Sequence, residues 1–423
     1  EYQLVEEYTH IARNLYIPTL LKKSNYFQSK YLTSDDILEG GEFKLTDTNI
    51  VPLPRYKLKS IIRLGVELDT YDPALLDGSI SDELFEYADS LLDYSYMNNL
   101  KFGGMRQFEG KYLRRIDGHL LEDPLQLQLL VALAAVRSDI TFHPNCKTIE
   151  GQKEALENYY RLNRNVEQNL PTPFLLCFRT NSKTYDSCSL VNMGDTNPSI
   201  RATQTVIGEA TEAGAGLGVN MGRIRSKGTR FKKMGKHQGL LGYLGLSSKN
   251  LKANNQESRG GSGTINVPIW TRDFYDLVML KDVTGVEGEN RYRHLDYCFS
   301  FSMYLVEKIR KNEKILLASP HTLLPSGKTI YEAFFTNFPE GGYDDSEFIA
   351  FCEEKLKDPN IPYVNNENSG TGKAGSFAYT YALDMFLTLC RQMINTGRIY
   401  TFNATHVNNH SSFLSPIEMT NLC

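Results

Sequence analysis

Beyond residue 170, short apolar segments alternate with segments of helical spacing, and this alternation is the strongest constraint on the fold. Runs with the length and composition of buried strands lie at 188–193, 216–221, 264–270, 314–318 and 398–402. Apolar residues recur with helical spacing at 202–213, 299–310 and 377–395. Because strands that alternate with helices are usually joined by crossovers, the pattern predicts a parallel α/β architecture.

The first 170 residues are predicted to be mainly helical. Helices are expected at 81–92, 124–136 and 151–170, with Ser81 and Asp123 as N-caps of the first two. At residues 171–179 a proline-bounded apolar run predicts a buried strand. We therefore expect a domain boundary near residue 170, with a mainly helical domain at 1–170 and an α/β domain at 171–423.

Composition limits the function more than the fold. The chain has 423 residues, a formal net charge of −4 and a pI of about 6.1, so it offers neither the basic footprint of a duplex-DNA binder nor a polybasic membrane anchor. Its most apolar helical stretch, 125–136, falls short of the roughly 20 residues that span a bilayer. Because the sequence begins without an initiator methionine, we expect it to start within a longer gene product. Because it shows no signal pattern, we expect a cytoplasmic location, which for a phage gene means the host cytoplasm.

Seven cysteines occur singly, with no Cys-x-x-Cys pair, at positions 146, 177, 188, 298, 352, 390 and 423. An odd number of dispersed cysteines is typical of reduced thiols rather than of a disulfide scaffold. Most are expected to be small buried apolar residues. A functional role for any one of them therefore depends on its context.

Several common catalytic motifs are absent. The segment 369–376 looks like a phosphate-binding loop, but Glu367 and Ala374 stand where that motif needs Gly and Ser or Thr. The glycines of 214–222 lack dinucleotide-binding spacing, and no glutamate follows His406 as in a zinc protease. No Gly-x-Ser-x-Gly elbow occurs. The sequence gives no positive support for a hydrolase and predicts no metal site.

What remains is an ordered series of short segments along residues 55–423. Among them are Tyr185-Asp-Ser-Cys188, Thr396-Gly-Arg-Ile-Tyr400 and Asn421-Leu-Cys423; others lie at 104–113, 170–174, 213–225, 259–261, 285–288, 293–297 and 410–413. In this order they resemble the large (alpha) subunit of ribonucleotide reductases, in the class that works with a separate radical-generating subunit. The last segment is similar to the tip of that family's catalytic loop.

The resemblance implies the first half of a ten-stranded α/β barrel. In the family two five-stranded parallel halves form the barrel, and the radical loop rises through its centre. Residues 171–423 would supply one half, the effector-binding loops and the rising arm of the radical loop. An open half-barrel leaves a strand edge and an apolar face uncovered. We therefore expect a companion C-terminal large-subunit fragment that carries the other half. A split gene, a gene interrupted by a splicing element, and a remainder outside the given sequence are the three explanations left open.

The same resemblance implies thiyl-radical chemistry. Cys423 would carry the radical that removes and later returns the 3′-hydrogen of the ribose. Cys188 would be one of two thiols that supply the reducing electrons and become a disulfide; its partner lies beyond the radical cysteine in the family. Asn421 would hydrogen-bond the ribose hydroxyls, since an amide both donates and accepts. The nucleotide pocket would also include Thr172, Ser187 and Gly216.

Regulation by nucleotides is implied as well. In the family an effector binds at the dimer interface, with its ribose held by an aspartate and its phosphates by arginines. The matching residues here are Asp195, Arg225, Lys232 and Arg259. Arg259 lies on the second regulatory loop, where Asn255-Gln-Glu-Ser258 precedes it in place of the family's extra glycines.

Together these expectations describe part of the catalytic subunit of a ribonucleoside-diphosphate reductase. Its expected effectors are ATP, dATP, dTTP and dGTP, a metal-containing small (beta) subunit supplies the radical, and thioredoxin or glutaredoxin is the reductant. We expect a homodimer of the alpha assembly, with no activity in the absence of the companion fragment and the small subunit. Two alternatives stay open: a non-catalytic nucleotide-binding regulatory remnant, and an adenosylcobalamin-dependent reductase.

Overall fold

The computed structural model of the chain describes residues 2–38, 42–46, 48–182, 184–185, 187–231, 235–254, 261–282, 292, 294–368 and 377–421. The chain folds into two compact units, 1–185 and 186–423, and each has its own apolar core. The boundary predicted from the sequence, near residue 170, lies about 15 residues before the observed one. The difference arises because residues 171–179, predicted as a strand of the second domain, form a helix of the first unit.

The first unit is mainly helical. Its helices are α1 (Tyr2–Tyr31), α2 (Leu58–Glu67), α3 (Asp82–Ser90), α4 (Phe102–Gln107), α5 (Pro124–Phe142), α6 (Ile149–Arg164) and α7 (Thr172–Cys177). Its short strands are β1 (Phe43–Lys44), β2 (Ile50–Val51), β3 (Arg115–Ile116) and β4 (His119–Leu120). These strands form two antiparallel pairs, β1 with β2 and β3 with β4.

Side-chain caps explain why the three helices expected in this unit start where they do. Ser81 Oγ accepts a hydrogen bond from Leu84 N at 3.2 Å, which caps α3. At α5, Asp123 accepts from Gln126 N while Gln126 Oε1 accepts from Asp123 N, both at 3.0 Å, and the two bonds form a capping box. Thr148 caps α6. The sequence predictions of these helices are confirmed.

The central helix α5 is apolar along its length. Among the described residues it is the one helix long and apolar enough to cross a membrane. However, 61% of its apolar stretch is buried inside the protein. A buried core helix passes the same test of length and composition, so α5 gives only weak support for a membrane span.

Helix α7 corrects the prediction of a buried strand at residues 171–179. Phe178 N donates to Phe174 O at 3.2 Å, which closes the helical turn. Pro171 and Pro173 stand at the helix start, where a missing N–H leaves no intrahelical bond unmade and the fixed φ suits a helix. A short apolar run carries no periodicity that separates a strand from a buried helix. The prolines, read as strand boundaries, in fact favour the helix.

The second unit is built on a five-stranded parallel sheet with the strand order β13-β10-β9-β6-β5. These strands are β5 (Cys188–Asn192), β6 (Gly216–Asn220), β9 (Gly263–Pro268), β10 (Asp296–Phe301) and β13 (Ile399–Asn403). Two antiparallel pairs stand apart from it: β7 (Arg230–Phe231) with β8 (Gly235–Lys236), and β11 (Lys314–Leu317) with β12 (Ala378–Tyr381). The α/β class and the parallel five-stranded sheet are as predicted.

Helices occupy most connections between these strands. They are α8 (Asn197–Glu212), α9 (Leu241–Ala253), α10 (Phe274–Val278), α11 (Met303–Lys311), α12 (Ile330–Phe334), α13 (Ser346–Leu356), α14 (Ala382–Thr396) and α15 (Ala404–Asn409). Gly397, at a φ of 64°, ends α14 in the left-handed conformation that glycine adopts without strain.

Two predicted helices in this unit start too early. The helix expected at 299–310 begins at Met303, because residues 296–301 form the buried strand β10. The helix expected at 377–395 begins at Ala382, because β12 precedes it. Both strands are short and largely apolar, and a buried strand of this kind reads as a continuation of the neighbouring helix.

Candidate functional site

Cys188 and Gly216 are the first residues of the adjacent strands β5 and β6, and they are partners in register. Gly216 N donates to Ser187 O at 2.7 Å. The thiol of Cys188 is exposed, and its Sγ lies 3.8 Å from Ser187 Oγ. Three residues predicted from the sequence therefore meet at one end of the parallel sheet.

Asn421 joins the same cluster. Its side-chain Nδ2 donates to Gly216 O at 2.9 Å and to Ser189 O at 3.1 Å, so one amide bonds to the backbone of both strands. These partners lie 205 and 232 residues away along the chain. The amide group is thereby fixed beside Cys188, at the amino ends of β5 and β6.

Residues 417–421, called the arm below, cross the face of the sheet. Asn408, itself fully buried, accepts from Ile417 N at 2.6 Å and donates to Ile417 O at 3.1 Å. Asn266 on β9 makes the same pair of bonds with Thr420, at 3.1 Å to its N and 3.0 Å to its O. Because a side-chain amide offers a donor and an acceptor together, each asparagine replaces a strand partner for the arm.

Gly218 in the middle of β6 gives the arm the room to lie this close. A Cβ at this position would lie 2.6 Å from Thr420 O and 2.6 Å from Leu190 Cδ2. Real Cβ atoms do not approach a backbone oxygen this closely. Glycine is thus required here by the approach of the backbone, since its φ is not in the left-handed region.

We predict that Gly218→Ala loosens the arm. Over-packing of this kind costs about 1–3 kcal/mol, and about 1.4 kcal/mol corresponds to a tenfold change in an equilibrium. Hydrogen–deuterium exchange of peptides covering 417–421 should therefore quicken about tenfold. Gly103→Ala is the matched control, because a Cβ there meets nothing within 4 Å. Unchanged exchange of the arm in Gly218→Ala would show that the close approach does not hold it.

A charged network fixes the other end of the arm. Arg223 Nη2 donates to both carboxylate oxygens of Glu418, at 2.7 and 2.9 Å. Tyr331 Oη and Asn220 Nδ2 also donate to Glu418 Oε2, at 3.0 and 3.2 Å. Burial and the charge of Glu418 raise the pKa of Tyr331 well above its usual value, so the phenol stays a donor. Since Glu418 lies at the carboxyl end of β6 and Asn421 at its amino end, the arm runs antiparallel to the strand.

A second cluster forms around Asp195, just before α8. Arg225 donates from its backbone N to Asp195 Oδ1 at 3.1 Å and from Nε to Asp195 Oδ2 at 2.6 Å. His321 Nδ1 lies 3.5 Å from Asp195 Oδ2. Both members of the Asp195–Arg225 pair are largely buried, with side-chain exposures of 11% and 14%. Two of the four residues predicted to hold an effector, Asp195 and Arg225, are thus in direct contact.

A cavity of about 840 Å³ opens beside this pair. Its polar lining includes Asp195, Asn197, Arg225, Lys236, His237 and Tyr243. Burial lowers the pKa of His237, which keeps its ring neutral at neutral pH, and His237 Nδ1 accepts from Gly239 N at 3.0 Å. The volume falls within the range of small-molecule sites. Its two cationic side chains, an aspartate and an amide suit an anionic ligand that also carries hydroxyl groups.

Thr172 starts α7 in the first unit, where its Oγ1 lies 3.2 Å from Tyr112 Oη and 3.5 Å from Lys111 Nζ. Three predicted residues lie outside the described residues: Lys232, Arg259 and Cys423.

Sequence reasoning missed the residues that hold the arm. Asn220 and Asn266 are buried, with exposures of 1% and 3%, near the carboxyl ends of β6 and β9. An asparagine inside an apolar strand run is the signal that could have revealed them, because a buried amide must find hydrogen-bond partners. Glu418 gave no comparable signal, since an acidic residue in a loop usually faces solvent.

Comparison with known proteins identifies relatives. A sequence profile described as "Ribonucleotide reductase, barrel domain" matches residues 186–423. The chain is 30% identical over 376 residues to the ribonucleoside-diphosphate reductase subunit alpha of Buchnera aphidicola subsp. Acyrthosiphon pisum, covering 87% of this chain and 44% of the relative. It is 29% identical over 365 residues to ribonucleoside-diphosphate reductase 1 subunit alpha of Escherichia coli K12, covering 85% and 43%.

The alpha subunit from Enterobacteria phage T4 is similar to the same degree, with 28% identity over 366 residues that cover 85% of this chain and 44% of the phage protein. The chain therefore spans less than half the length of these relatives. The profile match begins at the boundary between the two compact units.

Proposed function

Since the chain belongs to the ribonucleotide reductase family through its barrel domain, we propose that it forms part of the catalytic subunit of a ribonucleoside-diphosphate reductase. In this proposal it acts on a nucleoside diphosphate and replaces the ribose 2′-hydroxyl by hydrogen. The curated relatives named above are ribonucleoside-diphosphate reductases, which supports the diphosphate as substrate.

One observation carries the proposal: the amide of Asn421 is fixed across the start of β5 and β6, on the backbone of the residue after the exposed Cys188 and of its register partner Gly216. This arrangement suits a substrate that must meet a thiol and a hydrogen-bonding group at once. The carboxamide oxygen of Asn421 can accept from a ribose hydroxyl. The start of β5 and β6 would then be the floor of the ribose site.

The proposed reaction balances in atoms and electrons. The sulfur-centred radical of Cys423 takes the 3′-hydrogen and later returns it. The 2′-hydroxyl leaves as water, with a proton supplied from the reducing thiols. Cys188 and a second thiol together lose two electrons and two protons and become a disulfide, which an external dithiol reduces again. The sum is ribonucleotide plus dithiol giving 2′-deoxyribonucleotide, disulfide and water.

We propose the same partners for the active assembly. Sequence equivalent to the remaining part of the relatives would complete the site, and a small subunit would supply the radical. The cavity beside Asp195 and Arg225 would bind a nucleotide effector, because its charges suit phosphates and its aspartate suits ribose hydroxyls. Lys232 and Arg259 would take part in the same regulation.

A turnover assay tests the proposal. The complete large-subunit assembly containing this chain, the small subunit and thioredoxin are mixed with cytidine diphosphate, and the deoxynucleotide is measured by chromatography. We expect product that depends on both the small subunit and the dithiol. Nucleotide binding without turnover in the complete mixture would contradict catalysis and favour a regulatory remnant. Turnover that requires adenosylcobalamin in place of the small subunit would assign the protein to the adenosylcobalamin-dependent reductases. Turnover by the 423-residue chain with only the small subunit and reductant would contradict the need for a companion.

A further inference from the structure

One short turn connects the two clusters of the second unit. It comprises residues 221–226 and follows β6 directly. Within it, Arg225 bonds to Asp195 beside the cavity, and Arg223 bonds to Glu418 on the arm. Only Ile224 separates the two arginines, so a displacement of one is transmitted to the other through two peptide units.

The turn is stiff enough to transmit a displacement. Ile224 is buried at 3% exposure, and its N donates to Met221 O at 3.1 Å. Gly222 N donates to Asn220 Oδ1 at 2.9 Å, and a Cβ at Gly222 would lie 2.6 Å from Pro268 Cδ. Closely packed segments of this kind move as a unit or change between discrete arrangements, since a dense interior does not deform continuously.

A ligand that uses Asp195 must compete with this turn. Asp195 Oδ1 accepts from the backbone N of Arg225, and Asp195 Oδ2 accepts from its guanidinium. A hydroxyl group that bonds to the carboxylate therefore displaces or weakens a contact made by the Arg225 backbone itself. The displacement reaches the turn directly, whereas loss of a side-chain contact alone could be absorbed by rotation of the arginine.

The contact at the other end is equally specific. Arg223 reaches both oxygens of Glu418, and its guanidinium lies 4.8 Å from the Tyr331 ring centroid. Charge-assisted bonds to both carboxylate oxygens depend strongly on geometry. With side-chain exposures of 34% and 15%, the pair is partly shielded from solvent. A displacement of Arg223 would therefore disturb it.

We propose that the 221–226 turn couples the cavity beside Asp195 to the arm, with Arg223 and Glu418 as the coupling contact. The inference rests on the proposed function, which assigns a nucleotide to the cavity and the substrate ribose to Asn421. Arg223 and Glu418 are positioning residues, since they act through the arm. Occupation of the cavity weakens the Arg223–Glu418 contact and thereby changes where the arm holds Asn421.

Thermodynamic linkage between the two sites predicts the sign of the change in nucleotide affinity. If nucleotide binding works against the Arg223–Glu418 contact, breaking that contact beforehand makes nucleotide binding easier. Glu418→Asp keeps the charge but shortens the side chain by one methylene, so it breaks the bidentate geometry without changing the net charge. We expect the Kd of dATP for the 423-residue protein, measured by calorimetry, to fall about fivefold in this variant, the lower end of typical coupling.

Controls separate coupling from charge and from unfolding. Glu418→Gln should lower the Kd in the same way. Glu332→Gln removes a nearby carboxylate that acts on Arg223 only through its charge, and its Kd should equal that of wild type. Hydrogen–deuterium exchange of peptides covering 417–421 shows whether the arm is loosened in each Glu418 variant. Thermal unfolding of the same variants shows whether they are folded.

Three results would overturn the inference. The first is a Kd of dATP for Glu418→Asp that stays within twofold of wild type although the arm is loosened. In that case the Arg223–Glu418 contact anchors the arm but does not couple it to the cavity beside Asp195. An equal fall in Glu332→Gln would assign the effect to net charge. If the wild-type protein bound no nucleotide at all, the assignment of the cavity would fail and the coupling with it, while turnover would still test the catalytic proposal separately.

Discussion

Cys188→Ser is expected to abolish repeated turnover of the complete reductase assembly, with a loss of at least about a thousandfold, the order seen when an essential catalytic group is removed. A serine oxygen cannot form the disulfide that delivers two electrons to the substrate. The substitution is small, and Cys188 stands at the exposed start of β5 between two serines, so the strand should form normally. Deoxynucleotide formation at saturating substrate and thioredoxin is the measurement.

Cys390→Ser is the matched control for this prediction. Cys390 is a partly exposed cysteine on α14 of the same unit, outside the cluster around Asn421. We expect its turnover to equal that of wild type, and nucleotide binding to be unchanged in both variants. Steady turnover of Cys188→Ser within threefold of wild type would remove Cys188 from the proposed chemistry.

Glu122→Gln is expected to destabilise the first unit by about 3–5 kcal/mol, the cost of breaking a buried ion pair. Glu122 and Arg179 are both fully buried and form a salt bridge. Arg179 Nε donates to Glu122 Oε2 at 2.8 Å, and Tyr71 Oη donates to the same oxygen at 2.5 Å. Arg114 N donates to Glu122 Oε1 at 3.0 Å. A neutral amide leaves the guanidinium without a counter-charge and turns an NH₂ group toward donors.

Urea denaturation is followed by far-UV circular dichroism, which reports the helices of both units. Trp270, the chain's single tryptophan, lies in the second unit, so its fluorescence reports that unit separately. Glu167→Gln is the control: it removes one charge from the exposed pair with Arg161 and should leave the unfolding midpoint unchanged. An equal midpoint in Glu122→Gln and wild type would show that the buried pair contributes little.

Local sequence was sufficient where the determining interactions are local. Asp123, Pro124 and Gln126 form a helix start within four residues, and capping chemistry predicts it. The alternation beyond residue 170 predicted a parallel sheet because crossovers leave few other arrangements. The assignment of helix or strand from the sequence was wrong at residues 171–179 and at β10, because a short apolar run is compatible with both.

The sequence by itself thus determined the fold class, most of the helices and most strands of the parallel sheet. It also pointed to Cys188 and Asn421, the two residues on which the proposed chemistry depends. Only the tertiary structure decided that Asn421 bonds to Gly216 and Ser189, that Arg223 bonds to Glu418, and that Glu122 pairs with Arg179. Asn421 lies 205 residues from Gly216 and 232 residues from Ser189 along the chain. Arg223 and Glu418 are 195 residues apart, and Glu122 and Arg179 are 57 apart. Which distant groups meet depends on strand order, register and the space left by Gly218, and a single sequence carries no local pattern for any of these.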